Sequence, residues 1–280
     1  MSQALKTLDA TYKMRAIPLG SVRYWSWLFA HQTVRAPLLG VYALLAEWNA
    51  LADPATEPGA GRMKLAWWQE EIHRLIARAP LHPICVYLAS LPRGREVDFT
   101  PLGFAVNAWV AELSGVPLER SAELTLHACA LRAGPLEVAS RLAGDVLDEV
   151  SLGNCLRALA VAEYLARSTQ DYRREARLGS VPFAVDELLA AGIDNADLCA
   201  DQPPRKLEEY LLKLRGHAAQ SYRVAAQALP GACRSAQRHL LVLAALGLKH
   251  LQRRTASLES ARVQDMLLAW STARRAHGTT

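Results

Sequence analysis

The chain has 280 residues, of which 51% are hydrophobic and 21% are charged, and this balance excludes a disordered chain. Its 32 basic side chains exceed the 27 acidic ones by five, and only six of the bases are lysine. Such a modest, arginine-dominated excess suits phosphate groups or an anionic membrane surface, whereas a dedicated nucleic-acid-binding protein usually carries more. We therefore expect no nucleic-acid partner.

The distribution of cysteine and of apolar runs indicates the compartment. The first 15 residues are polar and mixed in charge, unlike a secretory signal, and the longest apolar runs (102–113 and 240–248) are shorter than the about 20 residues that span a bilayer. We expect a cytoplasmic protein with at most a peripheral contact to the inner membrane. An odd number of cysteines without a CxxC pair argues against a disulfide framework or structural zinc site; these residues are Cys85, Cys129, Cys155, Cys199 and Cys233.

Helix-forming residues dominate the sequence, and no stretch alternates apolar and polar residues for long enough to predict a strand. Proline and glycine divide the chain into segments, most clearly at DPATEPGAG (53–61). Pro135 is expected to kink the helix that contains it. The pattern predicts a single all-α domain over residues 1–280, with roughly eight to eleven helices. In chain order the main predicted helices are Arg23–His31, Leu38–Asp53, Arg62–Arg78, one from Thr100, Pro117–Ala143, Cys155–Ala176, a short one from Val185, Leu207–Leu229, Cys233–Arg253 and Glu259–Ala276.

The segment DYRRE (171–175) is the best local candidate for chemistry. Asp171 and Glu175 are four residues apart, so both carboxylates project from one helical face, where two oxygens can share a Mg²⁺ ion. The same spacing also fits a solvated helix face with ordinary ion pairs, and this alternative stays open. Nearby guanidinium groups are suited to phosphate oxygens; they belong to Arg167, Arg173, Arg174 and Arg177.

Other acidic residues offer weaker candidates. Asp145, Asp148 and Glu149 lie at a helix boundary and are expected to cap the helix. Glu137 lies among apolar residues, where it either has a partner or faces solvent on the turn that Pro135 disturbs. The sequence contains no HExxH, GxSxG, Walker or dinucleotide motif.

Four stretches together resemble the squalene and phytoene synthase family, the head-to-head branch of the trans-prenyl diphosphate synthases. The most specific is KLAWWQEEI (64–72) followed by His82-Pro83, which is similar to the family's RLAWWREEL…HP. The resemblance covers about residues 20–255. The other stretches are the N-terminal segment with Ser21, Arg35 and Val41-Tyr42-Ala43-Leu44, the pair Ala133-Gly134 ahead of DYRRE and Gly179-Ser180-Val181-Pro182, and the C-terminal residues Tyr222, Leu229-Pro230 and Arg238.

The resemblance implies an isoprenoid-synthase-type helical bundle around a central cavity, with two acidic motifs near its mouth. In active relatives these motifs hold Mg²⁺ ions that bind a prenyl diphosphate and help the diphosphate leave, while the dry cavity protects the carbocation. Carried over to this sequence, the residual metal ligands are Asp53, Asp171 and Glu175. The residues that would bind the diphosphate are Ser21, Arg35, Arg167 and Arg174.

The sequence departs from the family at both motifs. Where active relatives have CRxxDDxxD, the stretch WNALADPAT (48–56) keeps Asp53 as its only acid, and Pro54 ends the helix. At the second motif, Arg167 replaces an asparagine and places a cation beside the expected metal. This loss resembles a divergent branch that includes the mitochondrial complex I assembly factor related to phytoene synthase.

Three functions follow from these departures. We favour a protein with weak or no prenyltransferase activity that binds a prenyl diphosphate or lipid, or that acts as an assembly or scaffold factor. The alternative is an active Mg²⁺-dependent enzyme that condenses two prenyl diphosphates. A third possibility is a helical interaction module whose cavity is filled by side chains.

Overall fold

The computed structural model of the chain describes residues 8–51, 58–144, 146–252 and 258–277. Within these ranges every regular element is helical, apart from one isolated β-bridge. The all-α prediction is therefore confirmed. The helices are α1 (Ala10–Ala16), α2 (Val22–Leu28), α3 (Gln32–Leu51), α4 (Pro58–Ile76), α5 (Pro83–Ser90), α6 (Thr100–Leu113), α7 (Ser121–Ala128), α8 (Gly134–Ala143), α9 (Glu149–Arg177), α10 (Val185–Ala190), α11 (Asn195–Cys199), α12 (Arg205–Ala228), α13 (Gly231–Arg234), α14 (Arg238–Gln252) and α15 (Leu258–His277).

The predicted helix Pro117–Ala143 is divided into α7, a π-helical turn over Cys129–Ala133, and α8. Pro135 is the second residue of α8, where its missing N–H is tolerated, so the irregularity lies in the turn before the proline rather than at it. Gly134 lets α8 approach α6 closely, because a Cβ there would lie 2.9 Å from the Pro101 carbonyl oxygen. The π-helical turn carries Arg132.

The core is built around α9, the longest helix, which packs against α12 and α14. The predicted apolar face of α4 is confirmed, because its four residues are buried. They are Leu65, Trp68, Ile72 and Leu75. Glu71 on the same helix is fully buried and accepts hydrogen bonds from the backbone N–H groups of Leu81 (2.8 Å) and His82 (2.7 Å) and from Arg74 Nε (2.9 Å). Its carboxylate thus anchors the connection to α5.

None of the helices described here combines the length and the hydropathy that crossing a bilayer requires.

Candidate functional site

The last turns of α9 bring the predicted acidic pair together with Arg167. Arg167 Nη2 donates to Glu112 Oε1 on α6 at 2.9 Å and lies 3.9 Å from Glu175 Oε1. His127 Nε2, at the end of α7, is 3.4 Å from the same Glu112 oxygen. We call these residues, together with Asp171, the Arg167 cluster. Glu112 and His127 were not predicted as site residues, because α6 and α7 meet α9 only in the folded chain.

The two buried carboxylates of the Arg167 cluster respond differently to their surroundings. Burial opposes ionisation of Glu112, but the hydrogen bond from His127 and the charge of Arg167 outweigh it and hold the pKa of Glu112 below its usual range. Burial raises the pKa of Glu175, and the more distant Arg167 only partly offsets this effect. Glu175 Oε2 is shielded from solvent and accepts no hydrogen bond from the described residues. The surroundings therefore stabilise the ionised form of Glu112, whereas they disfavour the ionised form of Glu175.

Asp171 and Arg174 lie at the solvent-facing edge of this cluster. Asp171 Oδ2 is 3.5 Å from Arg174 Nη2, and the side chain of Arg174 is 59% exposed. The charge of Asp171 also acts on Glu175 and contributes to its raised pKa, as expected for carboxylates on one helical face. The structure therefore brings together Arg167, Arg174, Asp171 and Glu175 among the predicted site residues.

Ser21 and Arg35 contact opposite ends of α2, Ser21 as a residue just before the helix and Arg35 from α3. Ser21 is its N-cap, and Ser21 Oγ accepts a hydrogen bond from the Tyr24 backbone N–H at 3.1 Å. Arg35 donates to the carbonyl oxygens of Leu28 (2.8 Å) and Ala30 (3.3 Å), where Arg238 also binds. No described contact joins Ser21 or Arg35 to the Arg167 cluster. Their role in binding diphosphate stays a prediction, and Asp53 lies outside the described residues.

A second group of charged residues lines a cavity of about 730 Å³. We call it the Arg132 cavity. Arg132 on the π-helical turn lies over the ring of Trp109 (5.9 Å), and its Nε is buried without a hydrogen-bond partner in the described part of the chain. Arg23 on α2 lies over the ring of Tyr42 (5.5 Å). The cavity is lined by Arg15, Arg23, Ala46, Asn49, Ala50 and Arg132.

Burial weakens the ionised forms of the groups around the Arg132 cavity. Burial and, to a smaller extent, the positive charge of Arg167 lower the pKa of Arg132 to about 10. Burial raises the pKa of Glu163 on α9, although the charges of Arg132 and Arg23 act in the opposite direction. None of these three residues was predicted from the sequence as a site residue. The available signal was the presence of Arg132 and Glu163 within apolar runs, CALRAG (129–134) and ALAVAEYLA (158–166).

Comparison with known proteins agrees with this architecture. The chain superposes on a dehydrosqualene synthase solved in complex with ligand, with a TM-score of 0.70, 14% identity and coverage of 98% of each chain. It also superposes on the squalene synthase HpnC from Alicyclobacillus acidocaldarius, with a TM-score of 0.65, 14% identity and coverage of 98% of this chain and 99% of the other. A search of curated proteins found no sequence match. The predicted isoprenoid-synthase-type fold is thus confirmed.

The family model for squalene/phytoene synthase matches residues 20–270, which is most of the chain. The protein therefore belongs to the squalene/phytoene synthase family.

Proposed function

We propose that this family member has weak or no Mg²⁺-dependent prenyltransferase activity and acts by binding a ligand or a protein partner. The supporting observation is the position of the Arg167 guanidinium, 2.9 Å from Glu112 and 3.9 Å from Glu175. Because arginine stays protonated in proteins, it brings a permanent positive charge to the carboxylates on which a metal would depend. That charge repels a divalent cation, so the residues around Glu175 do not fit a Mg²⁺ ion in this arrangement.

The ligand or partner is proposed from the sequence changes at the two acidic motifs. A prenyl diphosphate or another lipid-like molecule would meet guanidinium groups in place of Mg²⁺, or the helical surface would serve as an assembly or scaffold factor. The resemblance of WNALA (48–52) and WWQEEI (67–72) to the branch of the complex I assembly factor supports the second role.

An active Mg²⁺-dependent transferase is the second candidate. It is favoured by the retention of Asp171 and Glu175 one helical turn apart, with Arg174 beside them. In this candidate Asp53 would complete the metal site.

Pyrophosphate release distinguishes the two candidates. We expect the full-length protein to release no pyrophosphate above background when it is incubated with farnesyl or geranylgeranyl diphosphate and Mg²⁺. Asp171→Ala is the matched variant, because it removes one carboxylate from a partly exposed position. Mg²⁺-dependent release that disappears in Asp171→Ala would contradict the proposal and establish the active transferase.

We also propose a peripheral contact with an anionic membrane surface. The outward face of α15 exposes Val263, Leu267 and Trp270, and Arg274 lies over the Trp270 ring at 5.3 Å. Apolar and basic side chains on one helical face suit the headgroup region of a bilayer. Co-sedimentation with vesicles containing anionic lipid should fall for Trp270→Ser and stay unchanged for Arg205→Ser on α12. Equal binding by both variants would refute this contact.

A further inference from the structure

The C-terminal end of α2 is surrounded by positive charge. Arg35 on α3 donates to the carbonyl oxygens of Leu28 (2.8 Å) and Ala30 (3.3 Å). Arg238 on α14 donates to those of Phe29 (2.7 Å) and Ala30 (3.1 Å). Both guanidinium groups thus converge on one uncharged oxygen atom, and each of these hydrogen bonds ends on a carbonyl group rather than a carboxylate. Burial and the charge of Arg35 lower the pKa of Arg238, which is the response of a cation without an acidic partner.

Two histidines extend this positive region. His31 lies between α2 and α3, and His277 is the last residue of α15, where its Nδ1 is 3.2 Å from Ser235 Oγ. Burial lowers the pKa of His31, and so do positive charges on three surrounding helices, α14, α15 and α3. The groups that carry these charges are Arg238, His277 and Arg35. We call the residues His31, Arg35, Arg238 and His277 the His31 cluster.

The helix ends at the His31 cluster do not neutralise it. The carbonyl end of α2 carries a partial negative charge, but α3 begins at Gln32, and the N-terminus of this 20-residue helix carries a partial positive charge. The formal charges of the two arginines therefore remain. None of their described hydrogen bonds uses Nη1 of Arg35 or of Arg238, so both side chains keep donors for a ligand. Phosphate oxygens suit such donors, because guanidinium groups bind them with charge-assisted hydrogen bonds.

The outward face of α15 indicates where the anion comes from. Val263, Leu267, Trp270, Arg274 and His277 follow one another at alternating intervals of four and three residues, which places them on one helical face. The first three are exposed and apolar, and His277 joins this face to the His31 cluster. A free phosphate ion would contact only the basic end of such a face. A membrane lipid offers a phosphate group and an apolar boundary together, and so matches both parts.

We propose that the His31 cluster binds the phosphate group of an anionic membrane lipid while the apolar face of α15 enters the headgroup region. The inference rests on the peripheral membrane contact proposed above and adds to it a binding site for the headgroup. A bound phosphate favours the protonated forms of His31 and His277, because opposite charges attract. Binding therefore takes up protons, and the affinity for anionic lipid should rise as the pH falls.

Co-sedimentation with phosphatidylcholine vesicles that contain phosphatidylglycerol tests the site, at constant ionic strength and at about pH 7.5 and about pH 5.5, on either side of the ordinary histidine pKa. The unmodified protein should bind about fivefold more tightly at the lower pH, and His31→Gln should lose most of this gain. Arg35→Met should bind at least about fivefold more weakly at both pH values. The matched controls on α12, His217→Gln and Arg205→Met, should bind like the unmodified protein.

Three outcomes would overturn the inference. If Arg35→Met binds the vesicles like the unmodified protein, or if His31→Gln keeps the full pH response, the headgroup site is wrong while the membrane contact through Trp270 stands. Because Arg35 also caps α2, its variant is compared only after thermal melting shows that it is folded, and His31→Gln carries the test if it is not. Saturable binding of inorganic phosphate without vesicles would replace the lipid by a free anion. Absence of vesicle binding by the unmodified protein would refute the membrane contact itself.

Discussion

The Arg167 cluster and the Arg132 cavity contain similar side chains but differ in how their charges are paired. In the Arg167 cluster, Glu112 accepts a hydrogen bond from Arg167, and His127 lies within 3.4 Å of the same oxygen. In the Arg132 cavity, the guanidinium groups of Arg23 and Arg132 lie against aromatic rings. Arg167 thus has a carboxylate partner, whereas the described contacts of Arg23 and Arg132 are with aromatic faces. The pairing within the Arg167 cluster is incomplete, since Arg167 Nε and Glu175 Oε2 have no hydrogen-bond partner among the described residues.

This difference separates two roles that charge plays inside a helical bundle. A paired internal charge fixes the packing of the helices that carry it, because its removal leaves the partner buried and uncompensated. An unpaired internal charge weakens the fold and is useful where a ligand supplies the missing partner. We therefore expect the Arg167 cluster to contribute more to the stability of the fold than the arginines of the Arg132 cavity do.

The largest effect is expected for Arg167→Met. The side chains of Arg167, Glu112 and Glu175 are 25%, 13% and 14% exposed, so removal of the cation leaves Glu112 with His127 as its partner and takes the nearest guanidinium away from Glu175. The free energy of unfolding should fall by about 3 kcal/mol, as for other buried ion pairs that lose one partner. Urea denaturation at pH 7 measures this change.

Arg174→Met is the matched control for Arg167→Met. It removes a 59% exposed arginine two turns along α9 that pairs with Asp171 at 3.5 Å. Exposed ion pairs contribute about 1 kcal/mol or less, so this variant should unfold at nearly the original urea concentration. If both variants lost the same free energy of unfolding, the Arg167 cluster would be solvated like Arg174. The expected difference between the Arg167 cluster and the Arg132 cavity would then be wrong.

The carboxylates that face Arg167 should respond in opposite directions to loss of their charge. Glu112→Gln should destabilise the fold by about 1 to 2 kcal/mol at pH 7, because it weakens a charge-assisted hydrogen bond. Glu175→Gln should leave stability unchanged or raise it by up to about 1 kcal/mol, because the raised pKa of Glu175 shows that its ionised form is disfavoured in the folded chain. Urea denaturation of both variants checks the signs.

The contributions of Glu112 and Glu175 to the free energy of unfolding should depend on pH in opposite ways. The folded-state pKa of Glu112 is lowered, so its contribution is present above its ordinary value of 4.5 and is lost as the pH falls below 4.5. The folded-state pKa of Glu175 is raised, so its cost is present above that pKa and is relieved as the pH falls toward 4.5. A destabilised Glu175→Gln protein at pH 7 would contradict this assignment.

The fold was predictable from the sequence because it depends on local patterns that recur along the chain. The spacing of Leu65, Trp68, Ile72 and Leu75 predicted the buried face of α4. The division of Pro117–Ala143 was not predictable in the same way. The π-helical turn directly precedes Gly134, where α8 lies close to α6, and that contact joins residues distant in sequence.

The candidate site was predictable only on one helix. The spacing of Asp171 and Glu175 correctly placed both carboxylates on one face of α9, because that relation lies within a single element. Glu112 and His127 come from α6 and α7, and nothing in their local sequence marks them as partners of Arg167. The burial of Arg132 and Glu163 likewise follows from tertiary packing, which a single sequence does not reveal.

The smallest effect is expected for Arg132→Met measured without ligand. The substitution is the same as in Arg167→Met, but Arg167 Nη2 donates to Glu112, whereas the described contact of the Arg132 guanidinium is with the face of the Trp109 ring. Removal of Arg132 therefore takes no hydrogen bond away from a buried carboxylate. Replacing a poorly solvated guanidinium by an apolar side chain of similar length is often neutral or stabilising. Glu163 keeps Arg23 as a neighbouring cation, and it has a raised pKa that makes its neutral form accessible. We therefore expect the free energy of unfolding to change by about 1 kcal/mol or less, measured by urea denaturation. A loss as large as that of Arg167→Met would mean that Arg132 is a structural charge, and the expected difference between the Arg167 cluster and the Arg132 cavity would disappear.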